Sequence, residues 1–419
     1  MKALFKEKKN FVLLAYPLAI LLLVLSKYVP GFAEYVWGRG AYRAFRFVMA
    51  SITGLLPFSL AEVILILIVP VFLFFLVRAI VRAVRARKEK KTLITLMRTL
   101  RNFLMAVGII LFAFVVGAGC NYHRDSIGVP LGLSVGNNNT EDLKEMCIEL
   151  GKKAAAARKV LEVKYVPSEH DDSANTAASG SADSENAASG STDSENAALG
   201  SKDLEYAGAG IVNAPFRSSY SNSERAQAAR EAMKKLSEDV GVMSGAFPRP
   251  KSVFFSRVMS RFGISGVFFP WTVEANVNVD ITDYTKGFVA CHELSHIAGF
   301  MREDEANFIA FLACRVSGDD ELTYSGYMFA FEMAINKLYK ISKEDYYDVI
   351  REVGVTPGMN ADSVEDSEYW DQFRGEALYE AGSTMNDTYL KLNSQEDGTK
   401  SYGRMLDLLM ALYRKDGEI

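Results

Sequence analysis

Three scarcities narrow the possibilities for this chain of 419 residues. Cysteine is the first. Only Cys120, Cys147, Cys291 and Cys314 occur, and no two form a CxxC pair. That spacing excludes a thiol metal site and gives no disulfide framework, so buried free thiols are expected. Net charge is the second. With 47 Lys+Arg against 51 Asp+Glu the formal charge is −4. No basic stripe interleaved with aromatics lies outside the segments that flank apolar runs, so nucleic acid is not an expected partner. Histidine is the third. The chain has four, and none follows His296.

Apolar sequence, by contrast, is abundant and unevenly placed. Three long runs fall within residues 1–120: "FVLLAYPLAILLLVL", "VILILIVPVFLFFLV" and "FLMAVGIILFAFVVGAG". With their flanks they predict transmembrane helices at about 11–27, 60–78 and 103–119. Each reaches the ~18–20 residues that cross ~30 Å of hydrocarbon. Pro70 is tolerable there, because neighbouring groups can satisfy the freed carbonyl. A cleavable signal peptide does not fit the first run, since two further spans follow it and no small-residue cleavage site stands out. "GAGC" at Cys120 lacks the large aliphatic residue of a lipoprotein acylation site, so a membrane-edge thiol is expected.

Lysine and arginine set the sidedness. "MKALFKEKK" is basic, "RAIVRAVRARKEKKTLITLMRTLR" between spans two and three is more so, and the loop between spans one and two is weakly charged. The positive-inside rule puts both basic stretches in the cytoplasm and everything after Gly119 outside. An amphipathic helix on the inner leaflet is the alternative for residues 78–101, with the same sidedness.

Beyond the spans, "TEDLKEMCIELGKKAAAARKVL" predicts a helix capped by Thr140. The units "SADSENAASG" and "STDSENAALG" follow in a polar repeat that cannot bury enough surface to fold, giving a disordered insert at 168–205. A helix begun by Ser223 comes next, then "EANVNVDI", which alternates like a strand. After Gly318 the pattern is helical almost to the end.

The stretch "FVACHELSHIAGFMREDEANFIAFLAC", residues 288–314, carries the chemistry. In a helix starting near Thr285, His292 and His296 project from one face, one turn apart, where a single tetrahedral Zn²⁺ can accept both imidazoles. Glu293 beside them suits a general base. The alternative is a pair of core histidines bonded to backbone. With no later histidine, a third downstream ligand must be a carboxylate. An unbroken helix carries Glu303 roughly 10 Å beyond His296, but Gly299 can end the helix and turn the chain back. A second helix beginning near Arg302 then offers Glu303 as ligand. Asn307, on the same face, would hold a ligand in place. Glu305 and Asp304 are the reserve ligands. Glu274 and Asn276 are candidate cleft residues on a substrate-pairing edge strand. Tyr402 and Tyr324 are candidate oxyanion donors, and His123 is expected to be structural.

The order HExxH then E-x-x-A-[DN], here Glu303-Asp304-Glu305-Ala306-Asn307 with Asn for Asp, resembles the gluzincin-type zinc peptidases, including the membrane CAAX-processing and heat-shock proteases. In those the glutamate is the third ligand; here the gap after His296 is shorter. "NYHRD", "FFPWTVEANVN", the HELSH stretch and "NDTYLKLNSQEDGTKSYGRMLDLLMA" resemble a bacterial membrane-protein family known only as a domain of unknown function. These resemblances imply a mainly α chain with three N-terminal transmembrane helices (1–120) and an extracytoplasmic α+β, zincin-like domain with a small sheet, starting at 121–167 and continuing over 206–419. They imply a zinc metallopeptidase with one Zn²⁺ per chain, acting on a peptide or protein substrate at the outer membrane face. The alternative is an inactive envelope scaffold that keeps the fold.

Overall fold

The computed structural model describes residues 8–88, 92–136, 139–164, 214–392 and 403–419. The repeat insert and Tyr402 lie outside these residues.

The first apolar run forms a 3₁₀ segment, Lys8–Leu14, that continues as α1 (Ala15–Tyr28). A wide helix of π type over Phe32–Ala41 leads into α2 (Tyr42–Thr53), and two long helices follow, α3 (Leu60–Lys88) and α4 (Thr92–Gly117). Asn10–Tyr28, Leu60–Arg87 and Thr92–Gly117 are long and apolar enough to cross a membrane. The described basic residues of 78–101 continue α3 and α4 and form no separate amphipathic helix. Span three ends at Gly117, and Gly119–His123 turns as a 3₁₀ helix. Spans one and three pack closely because Gly108 leaves room for the Tyr16 ring, whose hydroxyl donates to the Leu104 carbonyl at 2.6 Å.

The segment between spans one and two is not a loop. In α2 the buried residues are Tyr42, Arg46, Ala50 and Thr53. Spacings of three and four put them on one stripe, which faces the C-terminal domain. Charge counting along the segment missed this, because its buried stripe holds an arginine and a tyrosine rather than aliphatic residues.

The C-terminal domain is mainly helical: α5 (Thr140–Lys164), α6 (Asn222–Asp239), α7 (Ser256–Arg261), α8 (Asp283–Ile297), α9 (Glu303–Val316), α10 (Asp320–Ile341), α11 (Lys343–Val353), α12 (Pro357–Asp371), α13 (Ala377–Leu392) and α14 (Gly403–Asp416). Two caps differ from expectation by one or two residues. Asn139, not Thr140, accepts from the Asp142 amide at 2.6 Å. Ser221, not Ser223, caps α6 in a reciprocal box with Glu224. A cap sits three residues before the amide it serves, as both earlier residues do, and Ser221 does so from extended backbone.

The described strands, β1 (Lys251–Ser252), β2 (Gly266–Phe269) and β3 (Glu274–Val277), form one sheet in the order β1–β3–β2. β3 is parallel to β1 and antiparallel to β2. It is therefore central, not the edge strand expected from "EANVNVDI". The core lies where α10 packs on α5, α8 and α9. Residues 304–314 of α9 are buried on every side, so that helix runs through the middle of the domain.

Candidate metal centre

α8 starts two residues earlier than expected, at Asp283, and almost all of it from Tyr284 onward is buried. Its end is a Schellman turn. Gly299 takes φ +94°, its amide donates to the His296 carbonyl at 2.9 Å, and the Phe300 amide donates to Ser295 at 3.2 Å. The chain reverses there as Gly299 predicts, and α9 begins at Glu303. Its first turn carries Glu303, Asp304 and Glu305, where the helix dipole favours negative charge.

This turn brings three side chains together. His292 Nε2 and His296 Nε2 are 3.1 Å apart, His292 Nε2 and Glu303 Oε2 are 3.1 Å apart, and His296 Nε2 is 3.6 Å from Glu303 Oε1. An ion bound tetrahedrally with bonds of about 2.0–2.1 Å keeps its donors about 3.3 Å apart. The observed edges bracket that value.

The other ring nitrogens are already engaged. His296 Nδ1 is 2.8 Å from the Phe300 carbonyl, and His292 Nδ1 is 2.7 Å from Asn307 Oδ1. Both partners are acceptors, so both Nδ1 atoms donate, and in the neutral rings both Nε2 atoms carry lone pairs aimed at each other and at a carboxylate. Three acceptors cannot converge at these distances without a positive charge between them, either a cation or a proton on His292. A proton joins one pair of atoms at a time, whereas a cation satisfies all three.

The electrostatics of the protein groups follow from depth and charge. Burial lowers His292, but the hydrogen bond and charge of Glu303, with Glu293 and Asn307, outweigh it and raise the ring to about 9. Burial pushes His296 down to about 4. Burial would raise Glu303, yet His296 and His292 hold it below the usual carboxylate range. Burial pushes Glu293 up to about 8, opposed by His292 and assisted by Glu303. The nearby Phe268 amide also lowers Glu293, while Glu293 Oε2 is buried with no hydrogen-bond partner. An unpartnered buried carboxylate oxygen on the residue next to His292 suits a site for a metal and its water. The residues fit a zinc ion. The trio is recessed but reachable, with the His292 and Glu303 side chains 13% and 17% exposed.

Other candidates stand elsewhere. Glu305 is no ligand: its carboxylate takes both arms of Arg302 at 2.6 and 2.8 Å and the Ile127 amide at 2.9 Å. Three residues after Arg302, it lies where an ion pair along the helix forms. Asp304 pairs with Arg404 at 3.1 Å. Tyr324 is buried in the core and donates to Asp362 at 2.5 Å, away from the trio. His123 takes no part in the cluster. Glu274 and Asn276 do not line the cleft either. Glu274 accepts from the Leu60 and Ala61 amides at 3.1 and 2.9 Å, and Asn276 Oδ1 accepts from Ser59 Oγ at 2.6 Å. Ser59 in turn takes the Glu62 amide, so β3 caps the start of span two.

Sequence reasoning missed the groups that hold the end of α8. Tyr42 donates to the Ile297 carbonyl at 3.1 Å, Arg46 to the same carbonyl at 3.3 Å, and Arg124 to Ala298 at 3.1 Å. Arg124 is fixed by Glu34 at 2.8 Å and stacks on the Phe300 ring at 4.5 Å. Two guanidinium groups at a helix C-terminus complement its dipole. The quoted "NYHRD" contains Arg124, but nothing local marks its target.

A family profile described as "Protein of unknown function (DUF3810)" matches residues 37–410. The chain belongs to the DUF3810 family. The match takes in α2, spans two and three, the clamp residues Tyr42, Arg46 and Arg124, and the His292–His296–Glu303 trio, and leaves span one outside. No curated protein and no solved structure matches the chain.

Proposed function

We propose that this DUF3810 protein is a membrane-anchored zinc metallopeptidase of zincin-like architecture whose C-terminal domain lies outside the cytoplasm. One observation carries the reading. Three acceptor atoms of His292, His296 and Glu303 converge within 4.8 Å, with both Nδ1 atoms already donating elsewhere. The sidedness rests on the basic flanks of the spans. The contact of α2 with the end of α8 puts the segment between spans one and two on the same side as the C-terminal domain, as three crossings require in either orientation.

Zinc held by the trio supplies Lewis acidity that makes water nucleophilic near neutral pH and polarises a carbonyl. The chain's own residues do the rest. Asn307 and the Phe300 carbonyl orient the two imidazoles and keep their Nε2 atoms free to ligate. With a cation on the trio the ionised form of Glu293 is favoured, and it would take the proton of the attacking water at its unpartnered Oε2 and return it to the leaving amine. The bare face of Gly266 leaves the carboxylate its place, since a Cβ at 266 would lie 2.5 Å from Glu293 Oε1.

Substrate binding falls to β2 instead of β3. The Asn278 amide donates to Ser265, so residues 265, 267 and 269 face β3, and the backbone of Gly266 and the carbonyl of Phe268 face away. Among the described residues no strand pairs with that side. An extended peptide can add there by backbone hydrogen bonds with little sequence preference.

The test uses the purified full-length chain. About one zinc per chain and zinc-dependent peptide cleavage are expected, and Glu293→Gln should keep the metal while turnover falls by roughly 10²–10⁴. A chain that folds with no zinc, His292 protonated against Glu303, would instead be the inactive envelope scaffold.

A further inference from the structure

The C-terminal domain carries apolar surface that the metal centre does not use. Phe254 is 84% exposed, and Phe255 and Val258 beside it are also exposed. The two phenyl rings meet edge to face at 5.0 Å, which holds them outward. Their backbone amides donate to Glu62, at 3.1 Å from Phe254 and 2.8 Å from Phe255. Glu62 lies in the first turn of α3, the second span. The pair therefore sits level with the start of a membrane-spanning helix. Leu55 and Phe58, in the turn that enters that helix, are exposed as well, and Lys251 is tied to the Leu56 carbonyl in the same turn.

A second part of the domain reaches down beside span three. The turn joining β2 to β3 carries Trp271, whose ring nitrogen donates to the Ile110 carbonyl at 3.0 Å. Ile110 is seven residues before Gly117, the end of α4. At 1.5 Å per residue that is about 10 Å below the end of the span. Trp271 packs on Phe114 and Phe269, and a Cβ on Gly117 would strike the Pro270 carbonyl at 2.3 Å. The turn is thus seated against the apolar part of the helix.

We propose that the domain itself enters the bilayer at two points, the Phe254–Phe255–Val258 step and the Pro270–Trp271 turn, and that lipid covers the exposed phenyl rings. Continuity decides the occupant. The patch merges with the exposed apolar face of α3, where Leu65 and Ile66 begin a lipid-facing run. Aromatic rings are favoured at the boundary between headgroups and acyl chains. The sheet that sets Gly266 against Glu293 is thereby fixed at the membrane surface by its own side chains, independently of whether the centre is catalytic.

A cysteine at position 254 of the full chain, labelled with an environment-sensitive fluorophore in phosphatidylcholine vesicles, tests this. The four native cysteines are buried, so labelling is selective. Leu65 in span two is the lipid control, and Glu231 on α6, half exposed, is the aqueous control. Expected are a blue-shifted emission and quenching by nitroxide-bearing lipid close to that at Leu65 and several-fold above that at Glu231. Quenching no greater than at Glu231 with water-like emission overturns the proposal. A blue shift without lipid quenching also overturns it, and assigns the patch to a protein partner such as a second copy of the chain.

Discussion

Replacing Gly266 with alanine tests whether Glu293 works from the position described here. The added Cβ would lie 2.5 Å from Oε1 and 2.9 Å from Cγ of Glu293, and 2.9 Å from Cγ1 of Val289. Because ordinary carbon contact begins near 3.5 Å, the carboxylate must retreat by roughly 1 Å. The backbone at 266 is an ordinary strand, outside the left-handed region, so alanine adds no conformational strain. Overpacking of this kind costs about 1–3 kcal/mol, enough to lower the melting temperature without unfolding the domain. A displacement of ~1 Å in a reacting group costs on the order of 10²-fold in rate. None of the atoms nearest the added Cβ belongs to His292, His296 or Glu303. Gly266→Ala should therefore keep its zinc, measured by elemental analysis of the full-length protein, while the initial rate of peptide cleavage falls about 10²-fold. Wild-type turnover, together with an inactive Glu293→Gln, would refute the steric argument. Loss of zinc would show that the strand supports the ligands and not the base.

Three further outcomes follow. Glu303→Gln should lose zinc, whereas Glu305→Gln should retain it and lose about 3 kcal/mol of stability, because Arg302 and the Ile127 amide are left without their carboxylate; metal content and thermal unfolding of both variants decide. Asn307→Ala should weaken zinc binding by about 10–100-fold in chelator competition, since the His292 ring loses its orienting acceptor. Burial and the neighbouring Asp366 raise Glu332 from near 4.5 to about 8, so its protonated form is favoured by the fold. Stability should accordingly decline as pH rises from about 4.5 to about 8, and Glu332→Gln should flatten that slope and stabilise the protein at pH 8 in denaturant titrations.

Much of the centre could be anticipated because its grammar is local. Two histidines four apart share a helix face whatever surrounds them. A glycine at φ +94° ends the helix, and the acid that opens the next helix follows within one turn of chain. The caps shifted by a residue or two because several serine, threonine and asparagine residues compete near each helix start, and backbone angle chooses among them. β3 misled for a different reason. Alternation in "EANVNVDI" identifies a strand but cannot say how many neighbours it has, and all four residues of β3 are buried. Glu274 and Asn276 look like cleft residues until the amides of Leu60 and Ala61 are found on the first and the Ser59 hydroxyl on the second.

The amino-acid sequence alone determined that three helices are apolar enough to span a membrane and that two imidazoles and a carboxylate fall on consecutive helical segments around a glycine bend. Each depends on contacts within a few residues, where spacing and side-chain type suffice. Only the tertiary structure decided which strand is free, what lies against the catalytic candidate, and how the helix of the two histidines is tied to the apolar N-terminal helices. Tyr42 reaches Ile297 across 255 positions and Glu274 reaches Ala61 across 213. Partners that distant are chosen by the packing of the whole core, and no local pattern records them.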